Sequence, residues 1–262
     1  MRGPPRLAAA VFALSAAALA LAQDSSREGP PNPRRSATDN PNAPAPRPAR
    51  SSGDRLSSEL VAFSGDAGAG QRVASGGTKA GPGAACFNCH GMRGEGDSSG
   101  AFPRLAGQPG YYLFKQLENY ADGSRPNDVM TPIAVQMTSE ERRDVAAYYA
   151  TLEAPYRAVA GLDPGLAQTG ATIAAVGSSA LGLQACVSCH GPNGNGMPPD
   201  VPYLAGQNVR YLELQLQLWD QGRRTNDPLG VMTDVARRLS PEQRRAVAVY
   251  FASLPPPPEG TR

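Results

Sequence analysis

Two five-residue motifs hold every cysteine and every histidine of the chain, CFNCH at residues 86–90 and CVSCH at residues 186–190. Both read C-x-x-C-H, the attachment signature of a c-type haem. Two thiols add to the two vinyl groups of one haem, and a spacing of three residues places them on one face of a helix. The histidine that follows can ligate the iron from one side. The predicted attachment and ligand residues are Cys86, Cys89 and His90 in one site and Cys186, Cys189 and His190 in the other.

Other uses of a C-x-x-C pair have to be weighed against haem attachment. Such a pair can form a redox disulfide or supply half of a zinc site. A zinc site built from both pairs would not need a histidine after each one. Two copies with matching flanks, and no cysteine elsewhere in the chain, favour two haems over either alternative.

The first 22 residues have the layout of a secretory signal peptide. Arg2 and Arg6 precede an apolar run, and Ala20-Leu21-Ala22 forms an A-x-A cleavage site before Gln23. The run of 16 apolar residues is short for a membrane span, although an uncleaved anchor is the alternative. Bacteria attach haem to C-x-x-C-H outside the cytoplasmic membrane. Signal and motif together predict a periplasmic protein.

The remaining charge is balanced, and the segment after the signal is of low complexity. Without Arg2 and Arg6, 23 basic side chains face 23 acidic ones, which argues against nucleic-acid binding because that needs a basic surface. Residues 23–59 are rich in Pro, Ser, Ala, Asn and Arg and cannot bury enough apolar surface to fold. We predict a disordered leader there, either a dispensable tail or a spacer near a membrane.

From about Leu60 the sequence repeats itself. No run shows sustained strand alternation, so we predict an all-α fold of two small domains, residues 60–155 and 156–262. Tyr120 and its counterpart Trp219 lie at helical spacing and are expected to pack in the cores. The repeated segments are G-x-x-G-x-G at 91–96 and 191–196, P-x-L-A-G-Q at 103–108 and 202–207, R-x-N-D at 125–128 and 224–227, and the helix-capping patterns T-x-x-E at 138–141 and S-x-x-Q at 240–243.

The second axial ligand of each iron has to come from outside the histidines, because the chain has only two. Met130 and Met232 follow their histidines by 40 and 42 residues, and both occur in M-T-x-(I/V)-A segments just before the last helix of each repeat. An isolated methionine is most often core filler. The paired placement predicts that both ligate iron, which raises the potential of a haem and closes it to substrates.

Three further methionines are poorer candidates. Met92 is two residues past His90 and cannot reach the opposite face of the same haem, and Met197 lies in the glycine-rich loop after the second motif. Met137 has Leu239 as its counterpart, and a leucine cannot ligate. We expect Met137 to pack in the core.

The repeated motifs resemble those of the two-haem cytochrome c4 family, which consists of tandem class I cytochrome c domains. The resemblance covers residues 60–254 approximately. It implies two covalently bound haem c groups with His90 and Met130 axial in the first and His190 and Met232 axial in the second. It further implies that the carbonyls of Pro103 and Pro202 accept hydrogen bonds from the ligating imidazoles, and that the domains pack with their haem edges facing.

The same resemblance implies a function, because family members look like periplasmic carriers that feed terminal oxidases and are often loosely membrane-associated. We therefore expect an electron carrier between a respiratory donor and a terminal oxidase or similar acceptor, with no catalytic residues of its own. The alternatives are a cytochrome subunit of a larger dehydrogenase and a haem enzyme such as a dihaem peroxidase. A peroxidase would need one haem to be open.

Overall fold

A computed structural model describes residues 63–78, 81, 84–153, 159, 161–227 and 229–255. The predicted signal peptide (1–22) and leader (23–59) lie outside these residues. Within the described ranges the chain forms no β-sheet, only three isolated bridges. None of the helices seen there is long and apolar enough to cross a membrane.

The first half of the described chain holds five α-helices: α1 (Ala67–Gly76), α2 (Phe87–His90), α3 (Gly110–Ala121), α4 (Met130–Gln136) and α5 (Ser139–Thr151). Helix α5 packs against both α1 and α3, and α4 packs against α3. Their apolar stripes meet in a core that includes Ala74, Leu113, Val145 and Tyr149. Met137 is also buried in this core, as predicted.

The second half repeats the arrangement with α6 (Pro164–Val176), α7 (Val187–His190), α8 (Val209–Asp220), α9 (Val231–Arg238) and α10 (Pro241–Ser253). Helix α10 packs against α6 and α8, and α9 packs against α8. Each contact has its equivalent in the first half. The predicted all-α fold of two tandem domains is confirmed.

Capping boxes fix where the last helix of each domain begins. The Thr138 hydroxyl accepts from the backbone N–H of Glu141 at 3.1 Å, and the Glu141 carboxylate accepts from the N–H of Thr138 at 2.7 Å. Ser240 and Gln243 make the same exchange at 3.2 and 2.9 Å. Both caps were predicted from sequence and are confirmed. They set the register that turns the aromatic side chains of α5 and α10 towards the domain cores.

Each domain depends on one glycine where its first and last helices cross. A Cβ at Gly70 of α1 would lie 2.0 Å from the carbonyl oxygen of Asp144, and one at Gly170 of α6 would lie 2.1 Å from that of Ala246. Real Cβ atoms do not approach backbone this closely, so the helices could cross at this distance only with glycine in place.

We expect Gly70→Ala and Gly170→Ala each to lower the free energy of unfolding by about 1–3 kcal/mol, the usual cost of overpacking. Urea unfolding followed by far-ultraviolet circular dichroism measures the loss. Gly76→Ala is the matched control in α1, because a Cβ there would meet nothing within 4 Å. It should leave stability unchanged or raise it by up to about 0.5 kcal/mol. Equal effects at Gly70 and Gly76 would contradict the crossing argument.

Candidate functional site

The two C-x-x-C-H motifs fold into the same short helical turn. In each, the backbone N–H of the histidine donates to the carbonyl of the first cysteine at 2.9 Å, His90 to Cys86 and His190 to Cys186. This turn puts both thiols and the imidazole of each motif on the wall of one cavity. Burial raises the pKa of Cys86 and of Cys186 to about 11.

The four thiols are free, so neither pair forms a disulfide. Cys86, Cys89 and Cys186 are partly buried and Cys189 is exposed. Among the described residues, no three His, Cys, Asp or Glu side chains gather as a zinc site would require. The disulfide and zinc alternatives therefore find no support in the geometry.

Each imidazole is buried and held by one carbonyl. His90 Nδ1 lies 2.8 Å from the carbonyl oxygen of Pro103, and His190 Nδ1 lies 3.0 Å from that of Pro202. Because a carbonyl can only accept, each Nδ1 carries the proton and each Nε2 keeps a free lone pair. Burial lowers the pKa of both histidines below the usual value. Two neutral imidazoles are thus fixed in the tautomer that a metal ion would bind.

Met130 and Met232 lie on the wall of the same cavity as the two histidines. Both are partly buried and sit at the start of α4 and α9. Different side chains hold them in place. Asn127 Oδ1 accepts from the N–H of Met130 at 2.8 Å, whereas Asp227 Oδ2 accepts from the N–H of Met232 at 2.5 Å.

Three further methionines lie within the described residues, and none of them is a candidate ligand. Met92 and Met197 are exposed by 69% and 47% and do not line the cavity. Met137 does reach the cavity wall, but it is buried at the same place as Leu239 of the second domain. Core packing accounts for Met137, as the sequence predicts.

The glycine-rich loop that follows each motif packs against the last helix of its domain. Gly94 and Gly194 have φ of +67° and +69°, a region that favours glycine. A Cβ at either would lie 2.7 Å from an aromatic ring, that of Tyr149 or of Phe251. The loop thus closes over the last helix of the domain, and the only residue that permits this is glycine.

The cavity that these residues share has a volume of about 430 Å³ and is lined mainly by apolar side chains from both domains. Trp219 lines this cavity, and its Nε1 is a buried donor with no partner among the described residues. Two sites, each with a thiol pair, a neutral imidazole and a thioether, open into an apolar space that also holds an unused donor. This set fits two haems, which need sulfur attachment, nitrogen and sulfur ligation, and polar partners for their carboxylates.

Two pairs of hydrogen bonds between a glutamine side chain and the backbone of the other domain join the domains beside the cavity. Gln108 donates to the carbonyl of Tyr203 at 2.7 Å and accepts from its N–H at 3.0 Å. Gln207 makes the mirror pair with the backbone of Arg104, at 2.9 and 3.0 Å. These glutamines end the repeated P-x-L-A-G-Q segment, whose sequence indicates the repeat but not this contact between the domains.

A second cluster at the interface was also missed as functional. Arg125 and Arg224 begin the repeated R-x-N-D segments, and both are buried between the domains against Gln116 and Gln215. The available signal was that polar residues recur at matching positions of both repeats. Sequence alone did not indicate that the two copies face each other.

Comparisons with known proteins agree with this geometry. The family model described as "Cytochrome c" matches the chain twice, over residues 69–153 and 174–255. A protein of Stutzerimonas stutzeri (strain A1501) named "Thiosulfate dehydrogenase electron acceptor" is 38% identical over 195 residues, which cover 74% of this chain and 90% of that relative.

Solved structures give the same result. Reduced recombinant cytochrome c4 from Pseudomonas stutzeri superimposes with a TM-score of 0.65 at 33% identity, covering 73% of this chain and 100% of that one. Thiosulfate dehydrogenase (TsdBA) from Marichromatium purpuratum superimposes with a TM-score of 0.66 at 39% identity. That match covers 72% of this chain but only 40% of the larger protein.

Proposed function

Since this chain belongs to the cytochrome c family, as a member of its dihaem cytochrome c4 group, we propose that it accepts single electrons from a dehydrogenase and passes them to a further redox protein. It carries two covalently bound haem c groups, one in each domain. When bound, a haem iron takes up and releases one electron without any change in its covalent links.

The residues that hold each haem are those that share the cavity. Cys86 and Cys89 would hold the first haem through thioether bonds, and His90 and Met130 would supply the nitrogen and sulfur ligands of its iron. The carbonyl of Pro103, 2.8 Å from Nδ1, keeps the His90 ring in one orientation and increases the basicity of Nε2. The matching set in the second domain is Cys186, Cys189, His190, Met232 and Pro202.

The observation that carries the carrier function is the equivalence of the two sites. Each site offers a histidine and a methionine to one cavity. The chain has only two histidines, and both bind proline carbonyls through Nδ1, so no further imidazole can act as an acid or base. A peroxidase needs an open iron and a group that can move protons. Two closed sites suit outer-sphere electron transfer, and catalysis is left to the partner.

A dehydrogenase is the donor that the relatives favour. One relative is named as an electron acceptor of thiosulfate dehydrogenase, and the match with this chain covers 90% of that relative. In the thiosulfate dehydrogenase (TsdBA) of Marichromatium purpuratum, a segment similar to this chain makes up 40% of the polypeptide. The presence of such a segment in a protein of that name supports electron transfer from a thiosulfate dehydrogenase to this chain. We further propose that a terminal oxidase or similar protein accepts the electrons. We also propose that the chain is exported to the periplasm, where it associates loosely with the membrane.

The test is reduction of the purified, fully oxidised dihaem protein by a thiosulfate dehydrogenase catalytic subunit in the presence of thiosulfate. We expect two electrons per chain, followed as absorption of the reduced haems. Omitting thiosulfate or the dehydrogenase should abolish the reduction. If the enzyme turns over thiosulfate with a small-molecule dye but leaves this protein oxidised, thiosulfate dehydrogenase is not the donor.

A further inference from the structure

Two arginines from different domains share the same pair of acceptors in the interior of the molecule. The side-chain oxygen of Gln116 accepts from Arg125 at 3.0 Å and from Arg224 at 3.0 Å. That of Gln215 accepts from Arg125 at 2.8 Å and from Arg224 at 2.8 Å. The arginines are only 5% and 3% exposed. Four hydrogen bonds therefore form a closed ring that crosses the domain interface twice.

The charge in this ring is not balanced by the described protein. Neither Arg125 nor Arg224 forms an ion pair with a carboxylate in the described part of the chain. Their remaining partners are neutral: Arg125 donates to the Tyr211 hydroxyl at 3.0 Å and Arg224 to Asn226 at 2.9 Å. Arginine does not lose its proton in proteins. Two like charges buried together are costly unless an anion pairs with them, because burial removes their hydration.

The positive charge of the two arginines shifts the pKa of neighbouring groups. Burial by itself would raise the pKa of Tyr211, but the two guanidinium groups hold it below its usual value. Burial lowers the pKa of Arg224, and the nearby charge of Arg125 lowers it further. Each guanidinium also stacks on an aromatic ring of its own domain, 4.6 Å from the centroid of Tyr120 and 3.9 Å from that of Trp219.

The ring opens onto the cavity rather than onto solvent. Both arginines, both glutamines and Trp219 line the cavity that contains the cysteines and histidines. The unpartnered Nε1 of Trp219 adds an indole N–H donor to the same wall. Planar guanidinium groups bind carboxylates through two parallel hydrogen bonds, and a haem carries carboxylates at one edge.

We propose that Arg125 and Arg224 form one cationic site, shared by the two domains, that binds carboxylate groups of both haems and couples their reduction potentials. Each arginine donates to residues of both domains, so neither domain owns the site. Removing one guanidinium removes positive charge from beside both haems and leaves its carboxylate partner unpaired. A positive charge favours the reduced form of a nearby iron, which carries one more electron. The loss of either arginine therefore lowers both potentials.

The experiment is a spectroelectrochemical titration of the dihaem protein, as wild type and as Arg125→Gln and Arg224→Gln. We expect each variant to decrease the equilibrium constant for reduction of the haem in its own domain about tenfold. For a one-electron couple this lowers the reduction potential by about 59 mV. The potential of the other haem should fall in the same direction. Covalent haem is counted in the same samples, so a failure of haem binding is distinguished from a failure of coupling.

Exposed arginines provide matched controls. Arg72 in the first domain and Arg237 in the second are exposed, and their change to Gln should leave both potentials unchanged. If Arg125→Gln does not accumulate with two haems, the Lys variants carry the test, because lysine keeps the charge but has fewer donors. They should shift both potentials in the same direction by less.

Three results would overturn the proposal. One is a melting temperature that falls while both potentials stay at their wild-type values, which would assign the arginines a structural role. Another is a shift confined to one haem, which would remove the coupling. The third is a wild-type potential that follows the phosphate concentration of the buffer, which would place a soluble anion in the site. The inference rests on the haem sites proposed above and is independent of which dehydrogenase is the donor.

Discussion

Met130→Ala and Met232→Ala should each lower the reduction potential of one haem by roughly 0.2 V, within the range of about 0.8 V that axial ligands span. A thioether stabilises the reduced iron more than water or hydroxide does. The same change opens one coordination position, so each variant should bind carbon monoxide at one haem, whereas the wild type should bind none. The measurement is a redox titration followed by absorption spectra of the reduced protein with and without carbon monoxide.

Other methionines of the same chain serve as controls for that result. Met92→Ala and Met197→Ala change exposed side chains, and Met137→Leu copies the residue found at the matching position of the second domain. All three should keep both potentials and exclude carbon monoxide. A wild-type spectrum and potential in Met130→Ala or Met232→Ala would show that the residue is not a ligand, and the site would need another donor.

Much of the site could be predicted from sequence because haem attachment requires particular residues at fixed short spacing. The two motifs 86–90 and 186–190 are local, so the helical turn that presents their thiols and imidazole is fixed within five residues. The capping boxes at Thr138 and Ser240 are local for the same reason, and they were confirmed at the residues expected. Glycines in the loops after each motif also have the positive φ that such loops need.

The domain interface could not be read in this way, because its residues are distant in sequence. Gln116 and Arg224 are in contact at a separation of 108 residues, and no pattern within one repeat indicates that contact. The repeats also differ where they look alike. Asn127 holds the backbone before Met130, but the corresponding Asn226 donates across the interface to Gln116 and Asn119 at 2.8 Å. In the second domain Asp227 takes over the capping, which accommodates the longer spacing to Met232.

Replacing Cys86 and Cys89 together by Ala should leave one covalent haem per chain instead of two, and the same holds for Cys186 and Cys189. Each pair supplies the only thiols of its domain, so no other residue can form the thioether bonds. The first domain should also lose stability, because much of its interior is the wall of the cavity and its core is small for a domain of that size. Mass spectrometry of the denatured protein gives the haem count directly.

A comparison between the two double variants separates attachment from folding. If each domain holds its own haem, the variants should lose complementary halves of the absorption spectrum, and the remaining haem should keep its methionine ligand and exclude carbon monoxide. Its potential should nevertheless change, because the arginine site between the domains would then face the carboxylates of a single haem. Retention of two covalent haems in either variant would disprove the attachment by these cysteines, whereas loss of both haems would show that neither domain folds without the other.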